Sequence, residues 1–191
     1  MSVLVTVIIV AAGRGNRMNS SMNKVLMPLG GQPILLHSVL AFSECARVNN
    51  LIVVAAPDEA GCVEKMLIEM PKIKPWQVVT GGSERQYSIL NALKVVPGET
   101  NVVLVHDGAR PLVTKECIER VIHMAISHKA AIAAVPVKDT IKTVDDSATV
   151  TGTLDRNALW SIQTPQGFDF AILRRAYEQA TKDHSLGTDV A

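Results

Sequence analysis

The opening of this chain lacks acid. Between Met1 and Ser43 there is no Asp and no Glu, although Arg14, Arg17 and Lys24 all fall there. Across the whole 191 residues 19 basic side chains balance 18 acidic ones to a net +1. The overall balance gives no reason to expect nucleic acid or an acidic membrane surface as partner, and leaves the local cationic excess to be explained. Aromatics are scarce, at 4% against 48% hydrophobic residues, so Ala, Val, Ile and Leu must fill the core. That composition suits a largely parallel sheet covered by helices. Only three cysteines occur, Cys45, Cys62 and Cys117, far apart and without C-x-x-C spacing. They argue against a disulfide framework or a zinc site and suit a reducing cytosol. No apolar run approaches the roughly twenty residues of a membrane span, and the N-terminus has no basic flank, so neither a transmembrane helix nor a signal peptide is expected. Internal repeats and low-complexity tracts are absent too.

What is present begins with Val3 to Val10, VLVTVIIV, an apolar β-branched run that reads as a buried strand. It breaks at Ala11-Ala12-Gly13-Arg14-Gly15, and the next helix start is Pro33, which leaves a loop of about twenty residues where a few are usual. Glycine amides and uncompensated cations at the carboxyl end of a strand favour a phosphate site over a turn with three solvated cations. The loop is not a Rossmann fingerprint, because Met18 stands where a third Gly would be needed, and no G-K-[S/T] follows to make a P-loop.

Further strands are expected at Leu51–Ala56, Trp76–Thr80, Val102–His106 and Ala130–Val137, alternating with helices. The helices are expected from Pro33, from a cap at Asp58 to Met70, after Ser83 as cap, and after Thr114 as cap. Strict alternation predicts a doubly wound α/β sheet over 1–191, a single domain, with Gly13, Gly82 and Asp107 converging beyond the carboxyl ends of their strands. The pattern changes at Asp139. Residues 140–144 and 149–154 read as a β-hairpin around Asp145-Asp146-Ser147, an arm over 139–156. It either packs on a second subunit or folds back on its own domain. Thr164-Pro165-Gln166 reads as a polar turn, and a last helix runs from about Asp169 to Ala180.

Asp107, at a strand end facing the phosphate loop, could hold Mg²⁺ or merely cap a turn. The side chain of His106 should point to the opposite face and be structural. Arg156 could clamp a second anion, the bland alternative being a surface pair with Asp155 or Asp139. His37, His123, His128 and His184 show no metal spacing, and no Ser/His/Asp or Cys/His set is found.

The stretches AAGRGNRM, PLGGQPILLHS, GGSERQYSILNAL, VLVHDGARPLV, PVKDTIK, LDRNALWSIQTPQGF and the terminal TDVA follow one another between residues 7 and 191. In this ordered set the chain resembles the 2-C-methyl-D-erythritol 4-phosphate cytidylyltransferase family of nucleotidyltransferases. The resemblance implies a Rossmann-like fold and a reaction in which CTP and a polyol phosphate give a CDP-alcohol and pyrophosphate. It implies that Arg17 and Lys24 stabilise the reacting phosphorus, and that CTP is held by the loop of Ala11, Ala12, Gly13 and Gly15 with Gly82 and Ser88. Asp107 would hold Mg²⁺, and Arg110, Thr140, Arg156 and Thr164 would receive the methylerythritol phosphate. It further implies a homodimer whose arm carries Thr140 and Arg156 into the neighbouring site; the expected cytoplasmic location rests on the cysteines. Many relatives have Pro where Asn23 stands, Asp where Ser83 stands and an acid where Val190 stands, and they continue past Ala191 to a further basic residue. A ribitol 5-phosphate cytidylyltransferase shares much of the pattern, and a non-catalytic nucleotide-binding or dimerisation module is the alternative outside the class. The joint presence of Arg17, Lys24, Asp107 and Arg156 favours an enzyme, since a mere binder has no need of all four.

Overall fold

A strand buried on both faces needs no polar alternation, and the unbroken apolar runs of this sequence become such strands. The structure, a computed structural model, describes residues 3–13, 23–183 and 185. In chain order it contains β1 (Val5–Val10), β2 (Pro28–Leu29), β3 (Gln32–Pro33), α1 (Ile34–Ser43), β4 (Asn50–Ala55), α2 (Ala60–Ile68), β5 (Trp76–Thr80) and α3 (Arg85–Leu93). β6 (Val102–Asp107), α4 (Lys115–His128), β7 (Ala130–Pro136), β8 (Lys142–Val144), β9 (Val150–Thr153), β10 (Trp160–Asp169) and α5 (Phe170–Lys182) follow.

The main sheet has six strands in the order β5-β4-β1-β6-β10-β7. β1 pairs in parallel with β4 and β6, and β4 with β5. Alternate residues of each strand serve opposite faces. Val5, Val7 and Ile9 pack with Leu51, Val53 and Leu104 beneath α1, α2 and α4, through Leu35, Phe42, Leu67 and Ile122. Ile8, Ile52, Val54, Val103 and Val105 pack on the other face beneath α3 and α5, through Ile89, Leu93, Phe170 and Leu173. The expected doubly wound α/β sheet is thus observed. Leu104 is fully buried, and truncation to Ala at such a site costs about 2–5 kcal/mol.

β10 departs from the expectation. It runs antiparallel to both β6 and β7 and inserts between them. The stretch around Thr164-Pro165-Gln166 is not a free turn but the irregular middle of this strand, where register shifts between Ile162 and Gln166. Proline cannot donate to a ladder and is tolerated in a strand at such a break. The interruption also hid the strand from periodicity. The long loop after β1 carries structure at its end: a 3-10 turn at Lys24–Leu26, and the two-residue strands β2 and β3 joined by Gly30 and Gly31 at φ +60 and +87. Those left-handed values suit glycine. Pro33 belongs to that ribbon, so α1 starts one residue later than expected.

Cap positions moved as well. Glu59, not Asp58, precedes α2, and Glu84, not Ser83, precedes α3, neither with a side-chain cap bond. At α4 the expectation holds, because Thr114 Oγ1 accepts the Cys117 N–H at 3.3 Å. Asp169 caps α5 by accepting the Ile172 N–H at 3.2 Å. The hairpin is present as β8 and β9, and its Asp145 carboxylate accepts the N–H groups of Ser147 and Thr149 across the turn. The Ser147 hydroxyl, which donates to the same oxygen at 2.7 Å, and then these N–H groups hold the Asp145 pKa below its ordinary value. No helix among the described residues is long and apolar enough to cross a membrane.

Candidate active site

At the carboxyl edge of the sheet the ladder extends one bond beyond the strands. Ala11 N–H donates to Val54 O at 2.7 Å, Gly81 N–H to Ala55 O at 2.8 Å and Gly108 N–H to Val10 O at 2.8 Å. These bonds carry three loops forward together. A Cβ on Gly81 would stand 2.3 Å from Ala12 Cβ, and one on Gly82 would stand 2.4 Å from Tyr87 Cβ. Only glycine permits that approach of the β5 loop to the β1 loop and to α3. Gly82 N–H donates to Ser88 Oγ at 3.0 Å, which pins the loop to the first turn of α3. Ala11, Ala12, Gly13, Gly82 and Ser88 are therefore brought to one edge. Gly13 has open space where a side chain would stand.

Asp107 ends β6 between two guanidinium groups. Its Oδ1 accepts from Arg85 Nε at 3.2 Å and Nη2 at 3.1 Å, and its Oδ2 from Arg110 Nε at 3.0 Å. Arg110 also donates through Nη1 to Gln163 Oε1. With Lys24 on the same edge, Arg85, Arg110 and Lys24 stand against the Asp107 carboxylate and the Glu59 carboxylate that Asn23 engages, a net positive balance that suits a polyanion. Lys24 is exposed, and the residue before it, Asn23, reaches Ala11 O with its side-chain amide at 3.3 Å.

Beneath Asp107 lies a buried polar chain. His106 Nε2 is 3.1 Å from Arg110 O, and a carbonyl can only accept, so Nε2 carries the proton. Nδ1 of the neutral ring must then accept, at 3.0 Å, from the Thr164 hydroxyl. Thr164 Oγ1 in turn accepts the Asp107 N–H at 3.3 Å. Burial lowers the His106 pKa to about 4, so the ring stays neutral near pH 7. The ring also packs edge-on against Phe42 at 4.8 Å. His106 faces the core as expected, yet it ties Thr164 on β10 to Asp107 and Arg110 on β6. Thr164 is itself buried with its hydroxyl committed to this chain.

The remaining site residues are not in this cluster. Thr140 and Arg156 are exposed at the stem of the hairpin, where Arg156 Nη1 donates to Lys138 O at 3.4 Å. Among the described residues no hydrogen bond or ion pair ties either to Asp107 or Arg110. Arg17 and Gly15 lie outside the described residues. Sequence reasoning missed Arg85, Gln163 and the bridging part of His106. Arg85 was visible within GGSERQYS, but only the pairing of a helix start with a strand end identifies its partner.

Among the described residues no cluster of three or more His, Cys, Asp or Glu could hold a metal by itself. Mg²⁺ is commonly bound by one or two carboxylates together with substrate phosphates, and Asp107 is a carboxylate of that kind, but both its oxygens accept from Arg85 and Arg110, so a metal there would displace one of those guanidinium bonds.

The model of the 2-C-methyl-D-erythritol 4-phosphate cytidylyltransferase family matches residues 5–191. A curated protein of that name from Caldanaerobacter subterraneus subsp. tengcongensis is 46% identical over 186 residues, covering 97% of this chain and 82% of the relative. Another, from Alkaliphilus metalliredigens, is 46% identical over 188 residues, covering 98% of this chain and 78% of the relative. A crystal structure of 4-diphosphocytidyl-2C-methyl-D-erythritol synthase from Anaerococcus prevotii superposes with a TM-score of 0.84 at 28% identity, over 95% of this chain and 78% of the other. With a doubly wound sheet that gathers Lys24, Arg85 and Arg110 at its carboxyl edge, and a match over nearly its whole length, this chain belongs to the 2-C-methyl-D-erythritol 4-phosphate cytidylyltransferase family of nucleotidyltransferases.

Proposed function

We propose that this chain transfers the cytidylyl group of CTP to 2-C-methyl-D-erythritol 4-phosphate, releasing pyrophosphate, in the supply of isoprenoid precursors. One observation carries the reading beyond family membership. The described residues assigned to the nucleotide, Ala11, Ala12, Gly13, Gly82 and Ser88, share one sheet edge with Lys24 and Asp107. In the reaction a phosphate oxygen of the acceptor forms a bond to the α-phosphorus of CTP. The bond from that phosphorus to the bridging oxygen breaks, and pyrophosphate leaves with the electron pair. No protein nucleophile is required. The chain's work is to align two anions and offset their charge.

Lys24, with Arg17, would neutralise charge at the α-phosphorus as it becomes five-coordinate. Gly82 and Ser88 would shape the nucleotide's seat. Asp107 would hold Mg²⁺, whose charge offsets that of the phosphates. Arg110 and Arg156 would take the acceptor's phosphate and Thr140 would supply a hydroxyl contact to the acceptor, while Thr164, its hydroxyl committed to His106 and to the Asp107 N–H, would act on the acceptor's seat from beneath.

A homodimer completes this reading. Val144 and Val150 on the hairpin are each 57% exposed, and Ile132, Val135, Trp160 and Ile162 on β7 and β10 are exposed as well. A cavity of about 630 Å³ beside α4 and β7 reaches from Leu112 and Met124 to Arg110 and Gln163. Such apolar surface supports burial against a second copy, with Thr140 and Arg156 delivered to the partner's crevice. The three free cysteines support a reducing cytoplasm.

The test is pyrophosphate release with CTP, UTP, ATP and GTP, each crossed with methylerythritol phosphate and ribitol 5-phosphate. CTP with methylerythritol phosphate should give the fastest turnover. Faster turnover with ribitol 5-phosphate would overturn the acceptor assignment.

A further inference from the structure

Asn23 stands immediately before Lys24 and is only 7% exposed. Its side chain is fully engaged. Nδ2 donates to Glu59 Oε2 at 2.7 Å and to Ala11 O at 3.3 Å, while Oδ1 accepts the Val25 N–H at 3.3 Å. A flipped amide would set its oxygen against a carboxylate and a carbonyl, so this orientation is the one the partners permit. The bond to Glu59 is charge-assisted and short. Glu59 is free to make it because it occupies the N-cap of α2 without capping that helix. The three bonds join the end of β1, the start of α2 and the 3-10 turn that carries Lys24.

We propose that Asn23 is the positioning residue for Lys24, clamping the lysine-bearing turn to Ala11 and to the Glu59 carboxylate so that the ammonium group meets the reacting phosphorus. This rests on the cytidylyl-transfer reading and adds to it the part that sets the lysine's place. Misplacement by about 1 Å can cost roughly a hundredfold in rate, so a loosened clamp should be read in turnover rather than in binding. The backbone at Asn23 has φ −61 and ψ 132, which alanine adopts without strain. Asn23→Ala therefore removes the bonds without forcing a new conformation.

The experiment measures kcat, the KM for CTP and the Tm for a set of variants. Asn23→Ala and Glu59→Ala should each lower kcat about tenfold, with KM for CTP changed less than about threefold and Tm lowered by no more than a few degrees, the cost of one lost buried polar contact in an intact core. The double variant should be no worse than either single one, since both break one clamp. Glu59→Gln keeps an acceptor and should stay within about threefold of wild type. Asn23→Asp sets two carboxylates together and should fall below Asn23→Ala, and adding Glu59→Gln should recover part of the loss, the carbonyl of Ala11 still facing an oxygen. Unchanged kcat in Asn23→Ala, additive losses in the double variant, or a loss that tracks Tm would each overturn the clamp. An inactive wild type with CTP and methylerythritol phosphate would instead strike the functional reading, so the two failures are distinguishable.

Discussion

Around Asp107 polar groups find partners within the chain, whereas along the hairpin apolar side chains face outward. The crevice side is tied by Arg85, Arg110, Thr164 and His106, and among the described residues no buried side-chain nitrogen or oxygen lacks a partner. The arm presents Val144, Val150 and Leu154 to its surroundings, and Arg156 meets only moderate support at Lys138 O. A two-stranded ribbon is marginal alone in water. The contrast teaches that one half of the proposed site is preorganised by its own core, whereas the other half stands on a ribbon whose apolar side chains the same chain leaves exposed.

Removing charge from the preorganised half should have the largest effect. Lys24→Ala is expected to lower kcat by roughly a hundredfold or more, the usual loss for one preorganised donor at a developing charge, with CTP binding and Tm retained. Near wild-type turnover would end the catalytic role of Lys24.

The arm is tested next. Arg156→Ala should lose about thirtyfold in activity through misplacement of the acceptor. Mixing it with Lys24→Ala under subunit exchange should restore activity to about half of wild type per mixed dimer, because one site then carries both defects and the other neither. If each chain builds its own site, mixing restores nothing.

Asp107→Asn should lower activity about tenfold and raise the apparent Mg²⁺ requirement, since the charge is lost and the amide can accept from only one of the two arginines. A Mg²⁺ titration that superposes on wild type would leave Asp107 only its two arginine partners.

The smallest effect concerns stability. His106 titrates at about 4 when folded, against an ordinary 6.5, because burial penalises its charged form. As pH falls from 6.5 towards 4 the unfolded chain binds a proton that the folded chain refuses. Stability should therefore drop across that window by roughly 3 kcal/mol. Asp169, held low mainly by Lys129, acts only below its ordinary 3.8 and so stays outside the window. Urea unfolding at pH 7 and 4.5 measures the drop, and His106→Gln should flatten it while lowering stability at both values. An equal drop in that variant would assign the slope elsewhere.

The two regions were unequally legible. Runs such as VLVTVIIV announced buried strands because β1 and β6 are apolar on both faces. Thr114 announced α4 by a local cap, and the hairpin by alternation around Asp145. β10 stayed hidden because its pairing partners are distant in sequence and Pro165 breaks its period. Ser83 and Asp58 misled because capping preference is local, and the adjoining loops were drawn instead into contacts that only the assembled sheet supplies, Gly82 to Ser88 and Asn23 to Glu59.

By itself the sequence determined the alternation of strands and helices, the acid-free start and the chemistry available at each strand end. Those properties follow from local periodicity and residue type. Tertiary structure alone decided that β10 enters the sheet, that Arg85 meets Asp107, that a neutral His106 joins Thr164 to Arg110 and that Asn23 clamps the turn bearing Lys24. Each of these depends on groups brought together across tens of residues, and no local pattern records a contact that exists only once the core has closed.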